Sequence, residues 1–352
     1  MTQVSTLPQH ALDWLTKQDR QPCIAVDSHT AGNPTRIVLS GISLPVGIVT
    51  VDQVRVWLRD HGDHWRTRLV HEPRGGGLTC AVLPIFTKED GCDIGAVILE
   101  PGSYPPMCGH CMIGFATVIV ELGLLPNLPV DAQKIDFRIR TPAGPVGVTA
   151  WKEYGKLKSI TLTNVESFTV IKGLCLVDGR EVATELLYGG DYYISVDVRE
   201  IALSLDRSNA TEIVRVARRL RATYTEEGVR DPLSGSALDV YQVLFYERSP
   251  LSEHRVKVVV VAPPGVIDRS PCGTGSSAIF AKFVTDGLIG PADVLTTESI
   301  IGSTFTVTAK DVRRTPDRTF ITPALTGSAF INGFLTIAAD ASDALANGFA
   351  PL

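Results

Sequence analysis

The chain writes one short unit twice, and any fold it adopts must find a use for both copies. The first is Pro106-Met107-Cys108-Gly109-His110-Cys111, running into an apolar segment of helical length that closes on Gly123-Leu124-Leu125. The second is Ser270-Pro271-Cys272-Gly273-Thr274-Gly275, running into a similar segment that closes on Gly287-Leu288-Ile289. In both copies the closing glycine stands fifteen residues after the cysteine. The short apolar runs ahead of them, Ala96-Val97-Ile98-Leu99 and Val258-Val259-Val260-Val261, read as buried strands. Strand, tight turn, cysteine and helix is therefore the repeated unit, and two similar halves are its expected outcome.

A thiol at such a turn lies among unpaired backbone N–H groups at the positive end of a helix, which favours the thiolate. The same groups make a site for a small carboxylate. Two units facing each other would set two thiols on either side of one bound acid. A thiolate there serves as nucleophile, metal ligand, redox centre or general base. For Cys23, Cys92 and Cys175 a buried structural role is the default, whereas the matched pair Cys108 and Cys272 reads as functional.

Other readings of the same residues stay open at this point. Cys108 and Cys111 spell a Cys-x-x-Cys thiol–disulfide exchange motif, although the second copy has Gly275 where Cys111 stands. A zinc site from Cys108, His110 and Cys111 with Cys80 or Cys92 lacks a second close-spaced ligand pair, and we expect no metal. Asp268, four residues before Cys272, either binds the ammonium of an amino acid or pairs with Arg269. His110 meets a substrate through its backbone N–H, through its ring, or not at all.

The bulk of the chain narrows the partner. At 352 residues, 44% hydrophobic and 20% charged, it has room for two domains with substantial cores. A formal charge of −5 without a dense Lys/Arg cluster argues against nucleic acid and anionic membranes. The absence of a membrane-length apolar run and of a leader-like N-terminus points to the cytoplasm. Seven cysteines, an odd number spread over a long chain, point to free thiols.

In chain order, residues 1–21 form a polar extension with a short helix from about His10 to Lys17. Strands follow at CIAVDSHT and TRIVLSGI. The stretch from Val51 to the Gly-rich stop at Gly75–Gly77 carries a mostly helical spacing. Two strands lead to the first cysteine, and an antiparallel meander follows its helix. Around Ile160 to Val170 the pattern restarts, with strands, a helix over Asn209–Arg221, more strands, the second cysteine helix and three closing strands.

At these residues the chain resembles the proline racemase superfamily of proline racemases, hydroxyproline 2-epimerases and trans-3-hydroxyproline dehydratases. The resemblance covers nearly everything after residue 22. It is carried by Asp27-Ser28-His29-Thr30-Ala31-Gly32 with Pro34 and Arg36, Glu72-Pro73-Arg74-Gly75, Met107-Cys108-Gly109-His110, Tyr188-Gly189-Gly190, Asp268 to Gly275, and Ser299-Ile300-Ile301-Gly302-Ser303. It implies an α+β fold of two pseudo-symmetric α/β lobes, like that of diaminopimelate epimerase. Each lobe has a mostly antiparallel sheet with a central helix, and the active site lies between them. The first lobe is expected over 22–162, with C-terminal strands of about 320–352 returning to it, and the second over 163–319.

The resemblance also implies stereoinversion of a proline-type imino acid without a cofactor, in a family whose members are commonly homodimers. Cys108 and Cys272 would exchange the α-proton, Gly109, His110, Gly273 and Thr274 would hold the carboxylate, and Asp268 the ring nitrogen. In the dehydratases one of the two cysteines is typically Ser or Thr, so two cysteines favour a racemase or epimerase. The aromatic walls of proline racemases fall here at Cys80 and Ala262, which leaves room for a ring hydroxyl and favours a 4-hydroxyproline 2-epimerase. Proline racemase and trans-3-hydroxyproline dehydratase are the alternatives within the family, and a thiol–disulfide oxidoreductase is the alternative outside it. Two positions depart from the family pattern: Gly76 stands where it usually has His, and Cys111 where it usually has Gly. A Cys108–Cys111 disulfide would disable one thiol.

Overall fold

The repeated unit builds a repeated half. In the computed structural model, which describes residues 9–15, 22–129 and 131–350, the first half holds seven strands in line. They are Cys23–Thr30, Asn33–Ser40, Cys80–Ile85, Ile94–Leu99, Lys134–Thr141, Gly144–Glu153 and Lys156–Thr163. Their successive pairings run antiparallel, parallel, antiparallel, parallel, antiparallel, antiparallel. Arg180–Tyr188, Tyr192–Asp197, Gln242–Arg248, Arg255–Ala262, Leu295–Glu298, Thr304–Arg314 and Thr319–Gly327 repeat that order in the second half.

Each half gains one outer strand, Ala329–Ile337 against Cys23–Thr30 and Phe168–Val177 against Arg180–Tyr188. The last strands of the two sevens, Lys156–Thr163 and Thr319–Gly327, pair with each other and join the halves into one sheet, which the short strand Val266–Ile267 beside Arg255–Ala262 brings to 17 strands. The architecture is the two-lobed α+β fold that the resemblance implies.

Parallel neighbours need a crossover, and helices supply all four. The N-terminal helix α1 (Gln9–Leu15) stands apart from them; Thr16 and Lys17, to which the sequence pattern extends it, lie outside the described residues. In the first half the crossovers are α2 (Val51–His61) with α3 (Asp63–Val70), then α4 (Gly109–Leu122). Their counterparts in the second are α5 (Ala210–Glu227) and α6 (Gly273–Thr285).

The cysteine helices α4 and α6 are buried along nearly their whole lengths, from Gly109 to Val120 and from Gly273 to Val284. A helix that is apolar all round has no face to give to water. Each is therefore enclosed by the sheet of its own half: α4 touches Cys23–Thr30, Asn33–Ser40 and Lys156–Thr163, and α6 touches Arg180–Tyr188, Thr304–Arg314 and Thr319–Gly327. One apolar core runs through both, with Phe115 and Phe280 fully buried. Each such side chain contributes about 1.5–3 kcal/mol. On the outside, Leu58 and Leu69 of α2 and α3 cover the first half, and Ile213 and Leu220 of α5 cover the second.

The repeated glycine after each cysteine helix has a backbone reason. Gly123 (φ +63°) caps α4 in the left-handed region, and Gly287 (φ +69°) follows the end of α6. Residues without a Cβ take that conformation at no steric cost. The helical spacing after Val51 is interrupted, however, at Gly62. Its amide closes on the carbonyls of Trp57 and Leu58, and a Cβ there would lie 2.8 Å from the Trp57 ring. The chain turns at that point and restarts as α3. Among the described residues no helix is long and apolar enough to cross a membrane.

Candidate active site

The two cysteine helices meet head to head. A Cβ added to Gly109 would lie 2.6 Å from the Cα of Gly273, and one added to Gly273 would lie 2.7 Å from the Cα of Gly109. Backbone touches backbone at the first residue of each helix, so neither position admits a side chain. Cys108 and Cys272 are the residues that cap α4 and α6, and both line one cavity between the halves with Gly109, His110, Gly273 and Thr274. The sequence-predicted site residues thus come together, Asp268 included.

Around the first thiol, the polar groups form a chain that fixes a proton. The backbone N–H of Arg269 donates to Oδ1 of Asn33 at 3.1 Å, which turns the amide so that Nδ2 faces Nε2 of His110 at 3.0 Å. With an N–H aimed at Nε2, the imidazole carries its proton on Nδ1. That nitrogen lies 3.1 Å from the Cys108 Sγ and donates to it. Burial opposes charging Cys108, but hydrogen bonds from the Cys111 thiol and from Nδ1 of His110 outweigh it and hold Cys108 well below the ordinary thiol range.

The second thiol has neutral neighbours. Its Sγ accepts from the Gly275 N–H at 3.4 Å and lies 3.4 Å from the Tyr193 hydroxyl, which itself meets the Thr274 hydroxyl at 2.5 Å. Burial dominates here and the Asp268 carboxyl adds to it, so Cys272 is pushed up to about 12 despite those two donors. Cys272 also holds φ at +59° with ψ at 110°, a sparsely populated conformation that costs a residue with a Cβ roughly 1–3 kcal/mol. Its amide donates to the Ser270 hydroxyl, which ties the strained residue to the preceding turn.

Asp268 accepts from the Ser270 amide at 2.8 Å and hydroxyl at 2.9 Å, and burial raises its carboxyl. The guanidinium of Arg269 turns instead to the Ile267 carbonyl at 2.6 Å. Cys80 and Ala262 both line the cavity, as does Gly77 beside Gly76. Cys111 faces Nε2 of His110 at 3.4 Å. All seven cysteines are buried, and none is in a disulfide. Among the wall residues that carry no signal in the sequence are Asn33, Tyr193, Gln242 and Glu100, whose carboxyl burial holds well above its usual range.

A cavity lined by two thiols between two similar lobes suits a small molecule, and comparison with known proteins identifies an isomerase. The chain belongs to the proline racemase family, whose model matches residues 25–350. It is 32% identical to a 4-hydroxyproline 2-epimerase of Streptosporangium roseum, over 92% of this chain and 97% of that one. Its identity to a trans-3-hydroxy-L-proline dehydratase of Bacillus thuringiensis subsp. konkukian is 30%, over 92% and 96%. The crystal structure of a hydroxyproline epimerase from Agrobacterium vitis, with bound trans-4-hydroxy-L-proline, matches with a TM-score of 0.84 at 30% identity, covering 94% of this chain and 95% of that one.

Proposed function

We propose that the protein is a cofactor-independent epimerase that inverts the α-carbon of a hydroxyproline, 4-hydroxyproline above all, by passing protons through Cys108 and Cys272. The observation that carries this reading is the pair of capping thiols on one cavity between helix starts in backbone contact. In one direction the Cys108 thiolate takes the α-proton, forming S–H as C–H breaks, while the Cys272 thiol gives its proton to the opposite face. Turnover leaves Cys108 protonated and Cys272 as thiolate, which is the starting state for the reverse reaction.

An α-proton beside a carboxylate is very weakly acidic, so charge must be stabilised as it moves onto the carboxylate. The first amides of α4 and α6 lack intrahelical partners, and those of Gly109, His110, Gly273 and Thr274 hold the carboxylate in this scheme. Asp268 takes the ring ammonium.

Small walls at Cys80 and Ala262 support a substrate with a ring hydroxyl. Gln242 adds to this: its Nε2 is committed to Asp191 at 2.6 Å, which leaves Oε1 as the acceptor for a ligand. Two cysteines, rather than one with Ser or Thr, support inversion over dehydration.

Proton NMR in heavy water under reducing conditions tests the reading, with trans-4-hydroxy-L-proline, trans-3-hydroxy-L-proline and L-proline supplied separately. The 4-hydroxy substrate is expected to lose its α-proton signal as the deuterated epimer grows. Cys108→Ser and Cys272→Ser should each lower turnover by about 10²–10⁴-fold. No exchange with any of the three, in a protein whose thiols titrate as free, overturns it.

A further inference from the structure

The first thiol sits in a crowd of soft ligands. Cys80, His110 and Cys111 are all buried, and one ligand atom from each lies within 4.8 Å of the others. Tetrahedral zinc, with bonds of about 2.3 Å to sulfur and about 2.0 Å to nitrogen, places a sulfur and a nitrogen roughly 3.5 Å apart. Cys111 Sγ stands 3.4 Å from Nε2 of His110, and Cys108 Sγ stands 3.9 Å from the same nitrogen. Since the Asn33 amide keeps the imidazole proton on Nδ1, Nε2 presents the lone pair that a metal needs.

We propose that Cys80, His110 and Cys111, with Cys108 closing the fourth position, form a binding site for a thiophilic divalent cation such as Zn²⁺, and that the ion is a reversible off-switch for the first thiol. Thiolate and imidazole ligands favour zinc over magnesium or calcium. On binding, the metal replaces the thiol protons, which pass to solvent, and takes the place of the Asn33 N–H at Nε2. The ion's two positive charges are met by two of the three thiolates, and the third leaves a net charge of −1, which lies at the positive end of α4. With Cys108 as a ligand, its electron pair is committed to the metal and no longer reaches an α-proton. The second half has no counterpart: Gly275 stands where Cys111 does and Thr274 where His110 does. A metal therefore silences one thiol of the pair and leaves Cys272 untouched.

The metal site stands apart from the catalytic reading; only the inhibition rests on it. Anaerobic titration of the reduced full chain with Co²⁺ reads the site directly. One equivalent should produce a thiolate-to-cobalt charge-transfer band with the visible bands of tetrahedral cobalt, and Zn²⁺ should displace both. Cys80→Ser and Cys111→Ser, checked for folding by circular dichroism, should weaken binding at least tenfold, while Cys272→Ser keeps the spectrum. In the NMR assay Zn²⁺ should stop epimerisation, a chelator should restore it, and the residual activity of Cys111→Ser should resist the ion. An octahedral cobalt spectrum, none at all, or one unchanged by Cys111→Ser overturns the site. A tetrahedral spectrum in a protein that exchanges no imino acid keeps the site and fells the function instead.

Discussion

The two cysteine units share a backbone and differ in their chemistry. Both thiols cap a buried helix whose first residue is a glycine in contact with the other, and both helices cross between strands of equivalent position. Even the supporting contacts correspond. The residue two after each cysteine is met by a side chain from the start of the same strand in its half, Asn33 on His110 and Tyr193 on Thr274. What differs is the kind of group. The first thiol faces an imidazole N–H and a second thiol, while the second faces two hydroxyls and one backbone amide. One is thereby poised as thiolate and the other as thiol, the pairing an acid–base relay needs at rest. The shared backbone sets the geometry, and the side chains around each thiol set its protonation.

The shared part of the comparison is the most sensitive. Gly109→Ala and Gly273→Ala each drive a methyl group into the opposing backbone, at 2.6 and 2.7 Å, where no flexible side chain can give way. Each should cost about 1–3 kcal/mol of stability. Moving the thiols apart by about an ångström should also lower turnover by about 100-fold. Thermal unfolding and the NMR assay check both effects. Equal losses at the two glycines sharpen the picture of halves meeting on one axis. If either variant melts and turns over like the parent, the two helix starts do not bear on each other.

The difference between the thiols shows in how stability depends on pH. Burial raises Cys272 from 9.0 to about 12 in the folded protein. Between those values the unfolded chain releases this proton and the folded chain keeps it, so the unfolded state binds fewer protons and stability falls as pH rises. The contribution is whole below pH 9 and is lost progressively toward pH 12, on the order of 1 kcal/mol by pH 10. Cys272→Ala should remove that slope. Urea unfolding from pH 8 to 10.5 measures it, and parallel curves for parent and variant would break the asymmetry on this side.

Much of this was legible in the sequence because it is local. The doubled Cys-Gly step, the apolar run before it and the glycine fifteen residues on are short-range signals of strand, cap and helix end, and the strand Cys23–Thr30 matches its sequence reading residue for residue. What was not legible is what the fold gathers from afar. Asn33 reads as filler in the Ala31-Gly32-Asn33-Pro34 turn, yet it meets a ring 77 positions away. Tyr193 is one aromatic among several in its strand until the sheet brings it to Cys272, 79 positions on. Cys80 reads as wall, and only the tertiary fold places it beside Cys111. The break at Gly62 had a local warning, a glycine in mid-pattern, but its cause is the Trp57 ring packed over it.

The side chains that support the two units give the smallest effect and test the asymmetry most finely. Asn33→Ala removes the N–H that fixes the His110 tautomer, so the ring is free to turn its lone pair toward Cys108. Tyr193→Phe removes one of the donors to Cys272 and leaves the Gly275 amide in place. A lost hydrogen bond of either kind costs about 1 kcal/mol of stability, yet the kinetic effects should differ. With kcat/KM measured in both directions, Asn33→Ala should fall about tenfold, the 1.4 kcal/mol of one misplaced donor, and Tyr193→Phe only a few-fold. The equilibrium constant between epimers ties the two directions together, so each variant must lose equally in both. If Tyr193→Phe proves the more damaging, the thiol that depends on its neighbours is Cys272, and the roles of the two halves exchange.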